Sequence, residues 1–172
     1  VPGGAGGLLG GRLGGGRWCA VVCVGVGVLP ALLTAIGGPL VAVGAVAVMG
    51  SRRRGAIELG AHEAMTPDEA LEAGLSADVV IEAAGNARAF ETAVSLTGPG
   101  GRTVIVGLPS PEARASRSPL CLVAQGRSII GSSLWSDGPP RYSPSLRARW
   151  RPGSIPVGPL ISALLYPKNT PA

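Results

Sequence analysis

The uncharged stretch from Trp18 to Gly50, with Arg52–Arg54 directly behind it, restricts the fold more than any other feature of the sequence. A run of this length can cross a bilayer, and arginines after it agree with the positive charge usually found on the cytoplasmic side. Pro30, Gly37–Pro39 and Gly44 nevertheless interrupt the run. Two interpretations follow: a single membrane span over residues 18–50, and a set of short buried elements.

The interruptions leave pieces that suit a buried sheet. CAVVCV and LVAVGAVAV are short and rich in β-branched residues, as strands are, and PALLTAI between them has the length of a helix. Strands of a parallel sheet with both faces covered are apolar throughout, because neither face meets water. We therefore prefer buried strands and keep the membrane-anchored protein as an alternative.

The acidic residues divide the chain into three segments. All ten lie between Glu58 and Asp137, whereas the start of the chain is mostly Gly, Leu and Arg and its end repeats Pro, Arg and Ser. We predict an irregular, low-complexity N-terminal segment over 1–17 and one folded domain over 18–136. Residues 137–172 then form a Pro/Arg-rich tail, a partial remnant of the domain's end.

The net charge of +5 comes from the two ends and from Arg52–Arg54. No aromatic residues are interleaved with these arginines and no nucleic-acid-binding motif accompanies them, so we expect no nucleic-acid partner. Cys19, Cys23 and Cys121 form no disulfide or metal-ligand framework, which favours a cytoplasmic location.

Strands and helices alternate after the arginines. Thr66–Glu69 combines a capping residue, Pro at the first helical position and acids at the positive end of the helix dipole, so a helix starts there and ends at Gly74. The other predicted elements are helices over 53–59 and 87–96, a strand with the turn after it over 77–85, strands over 102–108 and 127–134, and a loop over 97–101. This alternation predicts the α/β class, with a doubly wound parallel sheet and right-handed crossovers.

Ligands of such sheets bind at the carboxyl ends of the strands. After the first predicted strand, Gly25 and Gly27 have the spacing of a dinucleotide fingerprint, although Pro30 takes the place of its third glycine. After the second strand, where the fingerprint has an acid for a ribose 2′-hydroxyl, the sequence has Ser51 and Arg52. A hydroxyl and a guanidinium suit a 2′-phosphate. The alternative is a solvated arginine run at a helix start.

These elements carry a family resemblance. ADVVIEAAGNARAFETAVSLTGPGGRTVIVGLPS, followed by LVAQGRSIIGSSLW, resembles the cofactor-binding domain of the medium-chain zinc-type alcohol dehydrogenases, and the upstream ELGAHEAM is similar to the family segment between the second and third strands. The resemblance implies a six-stranded Rossmann-type sheet. It also implies hydride transfer between an alcohol or aldehyde and a nicotinamide cofactor.

The resemblance assigns roles to residues at the strand ends. Gly25 and Gly27 are expected at the pyrophosphate, and the Gly50-Ser51-Arg52 triplet resembles members that prefer NADP over NAD. Ala84, Gly85 and Asn86 are expected at the nicotinamide-side ribose, and Val106, Gly107 and Leu108 at the carboxamide. The edge strand over 128–134 is expected to pair between subunits of a homodimer. Without the resemblance, Gly85 and Gly107 read as strand ends and Val106 as a core residue.

The zinc ligands of the family are not recognisable in the sequence. Catalytic zinc needs three protein ligands and an open position, and Cys19, Cys23, Cys121 and His62 have no such spacing. The four-cysteine structural zinc loop has no counterpart either. We expect that this chain alone does not catalyse the reaction. A non-catalytic nucleotide-binding or interaction module on the same fold is the alternative function.

Overall fold

The computed structural model of the chain describes residues 18–22 and 42–133, with residues 143–144, 147–148 and 150 further on. The strands in this part of the chain are β1 (Trp18–Val22), β2 (Ala42–Val46), β3 (Glu63–Met65), β4 (Ala77–Glu82), β5 (Thr97–Ile105) and β6 (Ser128–Gly131). The helices in it are α1 (Gly50–Glu58), α2 (Pro67–Glu72), α3 (Ala87–Leu96) and α4 (Leu120–Val123).

The described strands form one parallel sheet in the order β3-β2-β1-β4-β5-β6. The chain runs outward from β1 to β3 and then returns to place β4 on the other side of β1. This order is that of a doubly wound dinucleotide-binding sheet, whose ligand crevice lies where the direction of winding reverses. The predicted fold class is confirmed.

The core shows that helices cover both faces of the sheet. Val46 packs with residues of α2, β4 and α3, including Ala70, Val80 and Leu96, all at most 1% exposed. Its neighbour Ala45 packs in a separate cluster with Ala56 of α1. Because successive strand residues point to opposite faces, α1 lies on one face and α2 and α3 on the other. The continuous apolar sequence of β2 follows from this double cover.

The helix start predicted from the capping signals at Thr66 is confirmed. The Glu69 amide donates to Thr66 Oγ1 at 3.2 Å and the Thr66 amide donates to Glu69 Oε2 at 2.7 Å, which is a complete capping box at the start of α2. Asn86 accepts from the Ala89 amide at 2.9 Å and caps α3, whose bounds match the prediction. Both caps satisfy amides that have no partner inside the helix.

The loop predicted over residues 97–101 is wrong, because the structure makes these residues the first half of β5. Thr97 pairs with Ala77, and its hydroxyl, which lies 2.6 Å from the Thr103 hydroxyl, donates to the Ala93 carbonyl. The glycines permit close packing here: a Cβ at Gly98 would lie 2.6 Å from Ser76 Oγ. TGPGG therefore indicates tight contact with β4, where the sequence suggested a turn.

Other element bounds differ slightly from the prediction. Helix α1 begins at Gly50, three residues before the predicted start, because the Met49 carbonyl already accepts from the amides of Arg52 and Arg53. Strand β3 is only three residues long, too short to show a periodic pattern, and was not predicted. Strand β6 ends at Gly131, earlier than the predicted 134.

The described ends of the uncharged stretch are strands of the sheet. Trp18–Val22 and Ala42–Val46 pair with each other in parallel, which does not agree with one helix over residues 18–50. Among the described helices, none has the length and apolar character needed to traverse a bilayer. The predicted helix PALLTAI lies outside the described residues, and so does most of the predicted terminal segments 1–17 and 137–172. The domain limits stay a prediction.

The capping box makes a pH-dependent contribution that can be measured. The pKa of Glu69 lies below its ordinary value of 4.5. The largest cause is the hydrogen bond from the Thr66 amide, followed by the hydrogen bond with the Thr66 side chain and by the charge of Arg53. A carboxylate with a lowered pKa stabilises the fold above its unfolded-state pKa, and this contribution is lost as the pH falls through the folded-state value. We expect Glu69→Gln to lower Tm at pH 7, with the difference from wild type shrinking below about pH 4. Thermal melts across this range check it; a constant difference in Tm would contradict it.

Candidate functional site

Two loops at the carboxyl edge of the sheet touch through their main chains. They are residues 83–86 after β4 and residues 106–108 after β5. Gly85 has a φ of +67°, and a Cβ at this position would lie 2.7 Å from the Leu108 carbonyl oxygen. A Cβ at Gly107 would lie 2.2 Å from the Gly85 nitrogen. No side chain fits at these distances, so glycine at both positions lets the loops meet.

Glu82, the last residue of β4, anchors both loops. Its side chain is 1% exposed, and Oε1 accepts from the amides of Ala84 at 2.7 Å and Gly85 at 2.9 Å. Its main-chain carbonyl accepts from the amides of Val106 at 2.8 Å and Gly107 at 3.1 Å. Glu82 is not among the binding residues predicted from the sequence. The signal available was an acid at the end of an apolar strand, followed three residues later by glycine.

The loop residues that face solvent are mainly apolar. Leu108 is 94% exposed and Val106 is 44% exposed, so neither fills the core. Asn86 is also exposed, but its Oδ1 is engaged in capping α3. The structure therefore brings together the six residues predicted around the nicotinamide: Ala84, Gly85, Asn86, Val106, Gly107 and Leu108. They present main-chain groups and apolar side chains.

A cavity of about 140 Å³ lies beside these loops. It is bounded by Phe90 of α3, by Ile105 at the end of β5 and by Ala113 in the segment after β5, and Glu82 contributes to its wall. The cavity lies between the loop anchor and α3.

The second part of the site lies at the end of β2. Val48 and Met49 are 63% and 56% exposed, and Ser51 and Arg52 are exposed in the first turn of α1. Met49 provides no side-chain cap, and no acid lies in this turn. Arginines next to the positive end of a helix dipole are destabilising unless an anion or another acceptor offsets them.

The three consecutive arginines have different surroundings. Arg53 Nη1 donates to the carbonyls of Ala47 at 2.8 Å and Val48 at 2.7 Å, so this residue holds the end of β2 against α1. Its charge also lowers the pKa of Glu69. Arg52 and Arg54 are exposed. The sequence alone did not distinguish these positions, because the three residues are identical and adjacent.

The remaining candidate residues do not form a metal site. His62 Nδ1 accepts from the Val43 amide at 3.0 Å and so serves the main chain of β2. Cys121 is a free, half-buried thiol. In the part of the chain that the structure describes, no group of three or more His, Cys, Asp or Glu residues could hold a metal ion.

Strand β1 separates the two parts of the site. Its last residue, Val22, pairs with Val46 of β2 and with Glu82 of β4. The carboxyl end of β1 therefore lies between the ends of β2 and β4. Gly25 and Gly27 themselves lie outside the described residues.

Comparison with known proteins identifies the family. The model of the zinc-binding dehydrogenase family matches residues 23–149, which is most of the chain. The chain belongs to the zinc-binding dehydrogenase family. The match identifies the chain as the cofactor-binding domain of an alcohol dehydrogenase-like oxidoreductase.

Solved dehydrogenase structures share the fold. An NAD-dependent alcohol dehydrogenase is 29% identical to this chain, with a TM-score of 0.64. The match covers 81% of this chain and 42% of the dehydrogenase. The alcohol dehydrogenase of the archaeon Aeropyrum pernix is 21% identical with a TM-score of 0.69, covering 81% and 41%. A short chain alcohol dehydrogenase from Escherichia coli CFT073, complexed with NADH, is 20% identical with a TM-score of 0.65, covering 81% and 42%. The dehydrogenase domain thus spans about two fifths of the length of these structures. Among curated proteins, none matches it significantly.

The contact between the glycine loops can be tested by adding one methyl group. We expect Gly107→Ala to lower the free energy of unfolding by about 2–3 kcal/mol, because its Cβ meets the Gly85 main chain. The matched control is Gly55→Ala in α1, where a Cβ has no atom within 4 Å and the helix favours Ala by about 0.5–1 kcal/mol. Urea unfolding of both variants measures this. Equal changes in the two variants would contradict the close contact.

Proposed function

We propose that this domain binds a nicotinamide dinucleotide, with NADP preferred over NAD, for hydride transfer between an alcohol or aldehyde and the cofactor. The main-chain contact of Gly85 and Gly107 at the carboxyl edge carries the proposal, because it brings main-chain groups and apolar side chains together with no side chain at the two glycines. A flat nicotinamide and its ribose suit such a surface. The family membership and the NADH bound to the Escherichia coli structure support it.

At the nicotinamide end, residues 84–86 bind the ribose and residues 106–108 bind the carboxamide. The exposed side chains of Val106 and Leu108 exclude water from one side of the ring. When bound, the nicotinamide supplies the atom that donates or accepts the hydride. The residues of this domain bind and orient it.

At the adenosine end, Gly50, Ser51 and Arg52 bind the 2′-phosphate of NADP. Ser51 and Arg52 are exposed at the positive end of the α1 dipole, and the first turn of this helix has no acid that would repel a phosphate. Arg53 is engaged with the end of β2, so Arg52 supplies the guanidinium. Gly25 and Gly27 bind the pyrophosphate.

The zinc implied by the family does not fit the described residues, which offer no set of three ligands. We derive no step through zinc. We propose instead that catalysis requires a zinc-bearing catalytic domain, in the reducing environment of the cytoplasm.

Edge strand β6 is the proposed pairing surface of a homodimer. All four of its residues are exposed, and Ile129 and Ile130 are 37% and 43% exposed. The Ser132 amide donates to the Ile105 carbonyl on the β5 side. Because alternate residues of a parallel strand bond the same neighbour, the main-chain groups of Ile129 and Gly131 point to the free edge.

Cofactor preference is tested by removing one positive charge. We expect Arg52→Gln to raise the Kd of NADPH by about tenfold or more and that of NADH by less than about twofold, because only NADPH has the phosphate. The matched control is Arg102→Gln, an exposed arginine of β5 away from the strand ends, which should change neither Kd. Calorimetric titration measures these values. An equal loss for both cofactors would show that Arg52 does not bind the 2′-phosphate.

The dimer is tested at the free edge. Ile129→Pro removes an outward amide without breaking a bond to β5, so we expect the variant to stay folded and become monomeric. Sedimentation velocity of the two proteins measures this. A wild-type protein that is monomeric at all concentrations would contradict the proposal.

A further inference from the structure

We propose that Glu82 is a positioning residue that sets the geometry of the nicotinamide end of the site. The inference rests on the proposed function for the identity of the ligand. Glu82 has no place among the predicted binding residues, and its side chain is too buried to contact a ligand over a large area. Its effect on binding would act through the two loops that it anchors.

Glu82 accepts hydrogen bonds from both loops. The side chain fixes residues 84 and 85 and the main-chain carbonyl fixes residues 106 and 107. Buried amides in a tight turn need acceptors, and a carboxylate is a stronger acceptor than a neutral group. Since the loops also touch through Gly85 and Gly107, a displacement of one loop displaces the other.

The direction of the side chain explains why an acid is tolerated at this buried position. Glu82 lies two residues after Val80 and so points to the same face of the sheet, toward α3. Val80 is fully buried, whereas Glu82 is at the strand end, where loop amides replace core side chains as neighbours. The carboxylate therefore exchanges hydrogen bonds with water for hydrogen bonds with the loop.

The adenosine end is anchored independently. There Arg53 holds the end of β2, and no hydrogen bond of Glu82 reaches Ala47–Met49. Loss of the Glu82 carboxylate should therefore weaken binding of the nicotinamide half and leave the adenosine half unchanged. A residue that only stabilised the fold would affect both halves equally.

The experiment compares a whole cofactor with half of one. NADPH occupies both ends of the site, whereas 2′,5′-ADP occupies only the adenosine end. The variants are Glu82→Met, which removes the acceptor at similar length, and Glu82→Gln, which keeps an amide oxygen. Thr103→Val is the control for lost stability, because it removes a buried hydrogen bond in mid-strand, away from the loops.

We expect Glu82→Met to raise the Kd of NADPH by about tenfold or more and that of 2′,5′-ADP by less than about twofold, as judged from the strength of charge-assisted hydrogen bonds. Glu82→Gln should restore most of the NADPH affinity, and Thr103→Val should change neither Kd below its melting range. Equal weakening for both ligands, or no weakening for NADPH, would overturn the inference.

Amide hydrogen exchange of the ligand-free protein separates this inference from the proposed function. In Glu82→Met the amides of Ala84 and Gly85 should exchange about tenfold faster or more, with those of residues 43–46 as the internal reference. Unchanged exchange at Ala84 and Gly85 would contradict the role of Glu82. Wild-type protein that binds neither NADPH nor 2′,5′-ADP would contradict the proposed function instead.

Discussion

The loops after β4 and β5 approach each other more closely than any side chain would allow. The distance from a Cβ at Gly107 to the Gly85 nitrogen would be 2.2 Å, and the same contact excludes a Cβ at Gly85. The side chain of Glu82 accepts hydrogen bonds from the loop after β4, and its main-chain carbonyl accepts hydrogen bonds from the loop after β5. The parallel sheet brings the strand ends to one edge, and this contact requires that two positions at that edge carry no side chain.

The other part of the site, at the end of β2 and the start of α1, is positively charged. Helix α1 starts with arginines and no acid, which opposes its own dipole unless an anion binds there. The three arginines have different surroundings. Arg53 donates hydrogen bonds to carbonyls at the end of β2, whereas Arg52 and Arg54 are exposed. Our proposal of NADP over NAD rests on these exposed charges.

Local signals in the sequence predicted much of the fold. Thr66 caps the helix that it was expected to cap, because capping depends on residues only a few positions apart. The cap that Asn86 provides for α3 was not predicted. The grouping of Gly85 with Gly107 followed from the family resemblance, since a glycine pattern alone does not show which loops meet. TGPGG was misread because glycines that permit close packing look like glycines that permit a turn. The role of Arg53 depends on where its side chain lies in space, which three adjacent arginines do not show. An acid three residues before a glycine marks Glu82 but does not show what its side chain contacts.

The most direct test of this account is an amide chemical-shift map of the ¹⁵N-labelled chain titrated with NADPH. The account predicts that the largest changes fall on Ala84–Asn86, Val106–Leu108 and Ser51–Arg52, at both parts of one edge. NADPH that produces no change, or changes confined to the opposite ends of the strands, would contradict it.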